Sequence, residues 1–136
     1  DNLQGEKDYN PFKTYANTKL INILFTLELA ERLKDTEICV NALHPGVVGT
    51  NFGNEFGEFF RNLYRLGKPF MISPEKGAET SIYLASSSEV KNVTGAYFAK
   101  SKRAFPSAFA NNAKACEKLW NWSLEKTNIE TFGKIS

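Results

Sequence analysis

Tyr15 and Lys19 stand four residues apart at the head of a stretch, 14–34, that contains no glycine or proline. In a helix, residues at i and i+4 lie on one face. A phenol beside an ammonium group has its ionised form favoured, so its pKa falls from about 10. A phenol tuned in this way can hand a proton to a substrate oxygen, or take one from it, near neutral pH. Carbonyl reduction and alcohol oxidation both need that step alongside hydride transfer. The same spacing occurs at Tyr9 and Lys13 and at Tyr64 and Lys68. The first of these pairs spans Pro11, which disfavours helix at the residue before it. The second spans Gly67 and abuts Pro69. Only Tyr15 and Lys19 open a long uninterrupted helix. On spacing alone, a surface tyrosine packed at a helix start is an equal reading.

A second candidate lies in Asn41-Ala-Leu-His-Pro-Gly-Val-Val-Gly-Thr50. A Pro-Gly pair at the carboxyl end of a buried strand sits where α/β sheets bind ligands. Thr50 offers a hydroxyl there, and Gly49 permits close approach. An ordinary turn would give the same residues. His44 is the single histidine. A metal site needs several ligands, and none cluster with it, so no metal is expected. His44 reads as structural or as a neighbour of a bound group.

The elements that must position these residues follow from periodicity. The helix over 14–34 carries two apolar stripes, Leu20, Ile23, Leu24, Leu27 and Ala30, and Ile21, Phe25, Leu29 and Leu33. Burial on two sides is expected, either inside one chain or at a helix-to-helix homodimer contact. Residues 37–43 read as a short buried strand, with Ile-Cys-Val at its centre. Residues 47–72 read as a glycine-containing, aromatic-rich loop with helical pieces. A helix over 73–86 opens on Ser73 as N-cap, Pro74 at its first position and Glu75 in its first turn. A strand over 93–99 and a helix over 108–126 complete the pattern, an α/β arrangement. Two strands with three helices leave edges and faces without partners. The chain is therefore expected to be part of a larger sheet.

Composition narrows the function classes. Of the 136 residues, 24% are charged, and the net charge is only +2 with both signs interspersed. No clustered basic face points to nucleic acid. Cys39 and Cys116 are too few for a disulfide framework and read as two buried free thiols in a reducing compartment. No stretch reaches the apolar length of a membrane span. The expected location is cytoplasmic, with membrane association of the parent left open. The chain begins Asp1-Asn-Leu-Gln-Gly, without Met. Any leader of a parent protein would be out of view.

Taken together and in order, Tyr15-Ala-Asn-Thr-Lys19, Val40-Asn-Ala-Leu-His-Pro-Gly46 and Thr50 resemble the short-chain dehydrogenase/reductase family. The branch most similar is that of the retinol dehydrogenases and related carbonyl reductases. Gly95-Ala-Tyr-Phe98 resembles the family's last strand, and Lys118-Leu-Trp-Asn-Trp-Ser123 the C-terminal helix of that branch. The resemblance implies the C-terminal portion of a Rossmann-type doubly wound parallel sheet, with the N-terminal dinucleotide-binding half absent. It also implies hydride transfer between NAD(P)(H) and a carbonyl or alcohol. NADP is slightly ahead of NAD in that branch, although no residue in this chain chooses between them. Tyr15 matches the catalytic acid/base. Lys19 matches the lysine that lowers the tyrosine pKa and binds the nicotinamide ribose. Pro45 and Gly46 match the turn beside the nicotinamide, Val48 the position whose backbone meets the carboxamide, and Thr50 a hydroxyl contact to the cofactor.

The resemblance makes the segment after Thr50 a substrate loop. It contains Phe52, Phe56 and Phe60, which suit a lid over a lipophilic small molecule. Packing of these rings as core beneath the loop is the equal alternative. The family's glycine-rich phosphate loop and catalytic serine belong upstream of the 14 residues that precede Tyr15. The chain alone is therefore expected to be inactive and to bind NAD(P)H poorly. A non-catalytic binding or regulatory protein on the same fold is the alternative to an oxidoreductase.

Overall fold

A computed structural model describes residues 7–49, 67, 69, 71–106, 110 and 112–130. Among them, helix α1 (Pro11–Arg32), strand β1 (Ala42–His44), helix α2 (Pro74–Ser86), a 3₁₀ turn (Ser88–Val90), strands β2 (Tyr97–Ala99) and β3 (Lys102–Ala104) and helix α3 (Ala113–Thr127) follow in order. The strands form one sheet in the order β1-β2-β3. The chain divides into two compact units, Asp1–Ala42 with Lys91–Tyr97 and Ala104–Ser136, and Leu43–Val90 with Phe98–Arg103.

Helix α1 starts three residues earlier than the expected 14–34, because Asn10-Pro11 is a cap and not loop punctuation. Asn10 stays extended, and its side chain accepts a hydrogen bond from the Lys13 N–H at 3.1 Å. Pro11 fills a first-turn position whose missing N–H costs nothing. At the far end Leu33 is the C-cap, and the Glu28–Arg32 pair at 2.9 Å ties the last turn.

The expected buried strand 37–43 forms only from Ala42, running on to His44, with residues 37–39 exposed, and 93–99 narrows to Tyr97–Ala99, for one shared reason. Side chains take over the pairing ahead of the ladder. The Val40 N–H donates to Thr94 Oγ1 at 3.0 Å. Asn41 donates from Nδ2 to the Val93 carbonyl at 2.6 Å and accepts from the Ala96 N–H at 3.0 Å. Backbone bonds from Gly95 to Val40 (2.8 Å) and from Ala42 to Ala96 (2.9 Å) lie among them. These bonds climb both segments together, so the two run in the same direction. Gly95, at φ +66°, breaks what reads as a continuous strand, and its bare Cα closes on Ala30 of α1.

Strand β3 was not expected. The two residues between β2 and β3, Lys100 and Ser101, both have positive φ (52° and 54°). This is the tight hairpin turn whose usual signature is Asn-Gly. A two-residue connection makes β3 antiparallel to β2, so the sheet is mixed where a parallel one was expected. Helix α3 begins at Ala113, later than the expected 108, where Asn112 accepts from the Ala115 N–H at 3.2 Å. Asn128 in the left-handed conformation ends it.

In the first unit, α1 packs against α3. Leu24, Cys116 and Leu119 are buried, with Leu20, Ile21, Leu27, Ala115 and Trp122 around them. Trp120, only 2% exposed, stacks on Phe25 with ring centroids 5.1 Å apart. The Arg32 guanidinium lies 4.6 Å from the same indole. Trp120 therefore gains both an aromatic and a cationic neighbour.

In the second unit, Ser73 caps α2 by accepting the Lys76 N–H at 3.3 Å. Glu75 in the first turn is held below the usual carboxylate range by its own backbone N–H and by Ser73. Thr80, 3% exposed, accepts the Ser101 N–H at 3.1 Å and so latches the hairpin turn to the helix. Tyr83 donates to Glu89 at 2.9 Å, and this bond raises the phenol pKa. Its ring meets Phe98 at 6.2 Å in a tilted contact.

Candidate functional site

Helical spacing brings Tyr15 and Lys19 together on the first turns of α1. The Lys19 ammonium lies over the phenol ring, 5.0 Å from its centroid. Tyr15 is 51% exposed, so the ring is accessible. The Thr18 hydroxyl is turned back to the Tyr15 carbonyl at 2.7 Å and does not compete for the phenol. Asn10 as N-cap leaves Tyr9 outside the helix, so Tyr9 and Lys13 are not a helical pair. Tyr64 and Lys68 lie outside the described residues. Of the three spacings, Tyr15 and Lys19 form the one pair seen within a helix among the described residues.

In the second unit, β1 ends at His44, which is exposed, and the chain turns through Pro45 and Gly46. Gly46 sits at φ +92°, and a Cβ there would lie 2.8 Å from Ile72 Cδ1. Neither the angle nor the space admits a side chain. The chain then straightens into an isolated parallel bridge between Val48 and Ile72. The Ile72 N–H donates to the Val47 carbonyl at 2.9 Å, and the Gly49 N–H donates to the Ile72 carbonyl at 3.0 Å.

Peptide groups alternate in direction along an extended chain. With Val47 C=O and Gly49 N–H both turned towards Ile72, the N–H and C=O of Val48 itself face the opposite side. A donor and an acceptor are thus held side by side on a fixed backbone. That is the complement of a primary amide, which offers one carbonyl and one NH₂ group. The donor set fits the carboxamide of a nicotinamide.

Thr50, Phe52, Phe56 and Phe60 lie outside the described residues. Pro45, Gly46 and Val48 belong to one unit, and Tyr15 and Lys19 to the other. Among the described residues no three His, Cys, Asp or Glu side chains could hold a metal ion. No helix among them is long and apolar enough to cross a membrane. Both cysteines are free thiols; Cys116 is buried as expected, but Cys39 is exposed, because it lies ahead of β1 where the chain is not covered.

Sequence reasoning missed Ile72 and Gly77. Ile72 supplies both bonds that set the Val48 backbone. Gly77 lies in the first turns of α2, where a Cβ would stand 2.6 Å from Val48 Cγ2. The available signal was the glycine itself, a poor helix former inside a well-capped helix.

The helices and mixed sheet make this an α/β chain, and over about nine tenths of its length it is similar to members of the short-chain dehydrogenase/reductase family. Its relatives are retinol dehydrogenases. The chain is 40% identical over 134 residues to retinol dehydrogenase 12 of Mus musculus, covering 94% of this chain and 40% of that protein. It is 43% identical over 131 residues to retinol dehydrogenase 14 of Homo sapiens, covering 90% of this chain and 38% of that one. It is 37% identical over 135 residues to retinol dehydrogenase 13 of Homo sapiens, covering 95% and 40%. The chain therefore spans about 40% of the length of the curated relatives it matches. No protein-family model matches it.

Proposed function

We propose that the polypeptide carrying this chain is an NAD(P)-dependent oxidoreductase that interconverts a lipophilic carbonyl compound and its alcohol, a retinoid being the first candidate from the names of its relatives. The observation that carries this reading is the Tyr15–Lys19 pair on one helical face, with the ammonium 5.0 Å from the ring centroid. Bound NAD(P)H supplies the hydride. Tyr15 gives the substrate oxygen its proton in reduction and takes it back in oxidation. Lys19 holds positive charge beside the phenol and would bind the nicotinamide ribose. Pro45 and Gly46 would border the nicotinamide, Val48 would receive its carboxamide on the backbone side turned away from Ile72, and Thr50 would add a hydroxyl. Phe52, Phe56 and Phe60 would line the lipophilic substrate side.

On this reading the segments 14–34, 37–43, 47–72, 73–86, 93–99 and 108–126 are the C-terminal part of one Rossmann-type domain. NADP is the first cofactor to test. Activity belongs to the complete polypeptide, and the 136 residues alone are expected to turn over no substrate. A homodimer through α1 and a cytoplasmic location belong to the same proposal.

The test uses the complete gene product. Fluorescence titration with NADPH and NADH measures cofactor binding, and reduction of all-trans-retinaldehyde measures turnover. The expected result is binding with turnover that Tyr15→Phe abolishes while cofactor binding stays. Turnover that survives Tyr15→Phe would overturn the role of Tyr15. Cofactor binding without turnover on any retinoid or simple carbonyl would favour the non-catalytic alternative.

A further inference from the structure

The Val48 backbone is fixed from two directions. The bridge to Ile72 sets its register, with bonds of 2.9 and 3.0 Å on either side of it. Helix α2 sets its height. A Cβ on Gly77 would stand 2.6 Å from Val48 Cγ2, 3.3 Å from Cγ1 and 3.6 Å from Cβ. The first distance is closer than carbon atoms tolerate without movement, and the obstructing atoms belong to a branched side chain with little rotamer freedom. Gly77 is itself buried within α2, and its N–H donates to the Ser73 carbonyl at 2.9 Å. The helix is tied at its start to the bridge through the adjoining Ile72, and the Thr80 hydroxyl holds the Ser101 N–H one turn further on. Any atom added at Gly77 is therefore relieved by moving Val48.

We infer that Gly77 is a positioning residue. It lets α2 approach closely enough to hold the outward N–H and C=O of Val48 at the height that receives a nicotinamide carboxamide. The inference rests on the proposed function, which supplies the carboxamide. Glycine is among the worst residues for a helix interior, so a position that needs no positive φ and still carries it points to the space its missing side chain leaves. Here the occupant of that space is the side chain of the residue whose main chain would meet the cofactor.

The test compares two ligands on the complete protein, NAD(P)H and the corresponding ADP-ribose, which lacks the nicotinamide ring. Gly77→Ala should weaken NAD(P)H binding by about tenfold or more, since displacement by a fraction of an ångström is enough to spoil paired hydrogen bonds. Binding of the ADP-ribose should change by less than about twofold. In a Val48→Ala background the two obstructing methyl groups are gone, and the effect of Gly77→Ala on NAD(P)H should shrink to within about twofold. Equal weakening of both ligands would make Gly77 merely structural and overturn the inference. Undiminished weakening in the Val48→Ala background, or no weakening at all, would overturn it as well. An unsubstituted protein that binds neither NADPH nor NADH would overturn the functional reading, and this inference with it.

Discussion

The Lys19 ammonium lies over the face of the Tyr15 ring, 5.0 Å from its centroid, on the exposed opening turns of α1. The contact orients a flexible lysine by ring electrostatics. Substituting either residue should act on chemistry far more than on folding. Tyr15→Phe keeps the ring and the cation contact but removes the proton. A loss of about 10²–10⁴-fold in kcat is expected, with the melting temperature unchanged. Steady-state kinetics and a thermal melt on the complete protein check this. A fall in melting temperature that parallels the lost activity would point to a structural role.

Asn41 should be a stability residue. Its amide makes two bonds, to the Val93 carbonyl and from the Ala96 N–H, that replace backbone pairing ahead of β1. Asn41→Ala strands both backbone groups and should cost about 1–3 kcal/mol. Asn41→Asp keeps the acceptor but loses the donor, and should fall between. Urea unfolding measures both.

Trp120 should dominate the stability of the α1–α3 contact. It is buried, stacked on Phe25 and covered by Arg32. Trp120→Ala should cost about 3–5 kcal/mol. A double-mutant cycle with Phe25→Leu should return a coupling of about 0.5–1.5 kcal/mol. A coupling near zero would mean that the rings are neighbours without mutual stabilisation.

The two thiols should separate by reactivity. Burial, with the nearby Glu28 charge second, raises the Cys116 pKa, whereas Cys39 is exposed. An alkylating reagent at pH 8 should label Cys39 in the native protein, and Cys116 only after unfolding. The sign of the linkage is fixed by the raised folded value. The contribution of Cys116 is fully present below the unfolded thiol range and is lost as pH rises through the higher folded value. Cys116→Ala should accordingly flatten the alkaline limb of the stability profile.

The hairpin turn offers a gain. Lys100 and Ser101 both occupy the left-handed region, which disfavours residues with a Cβ. Replacing them with Asn-Gly should raise stability by up to about 1 kcal/mol. The Ser101 N–H that reaches Thr80 is backbone and survives the change. A lower melting temperature would show that the lysine or serine side chain contributes more than the strain costs.

What the sequence made legible follows from where the signal was local. Ser73-Pro74-Glu75 names a helix start because each residue serves that position by its own chemistry. Tyr15 and Lys19 are legible as a pair because helical periodicity alone brings them together. Asn10-Pro11 carries the same cap chemistry as Ser73-Pro74, but loop punctuation masks it, and the helix start is missed by three residues. The strands fare worse. Asn41 and Thr94 trade side-chain bonds for ladder bonds across more than fifty residues, which no local pattern encodes. Lys100-Ser101 makes its turn without the residues that advertise one. Gly77 and Ile72 are invisible for a related reason. Their importance lies in what they touch, and both touch the 46–48 segment from a distance along the chain.

The Val48–Ile72 bridge constrains the length of the chain as well as its shape. Successive peptide groups point to opposite sides, so one residue inserted between Gly46 and Val48 would turn the outward donor and acceptor inward and expose their neighbours. An insertion of two would restore the alternation while displacing the turn. Over this short run the chain is held to a parity, so residue number is constrained there as well as the identity of Gly46.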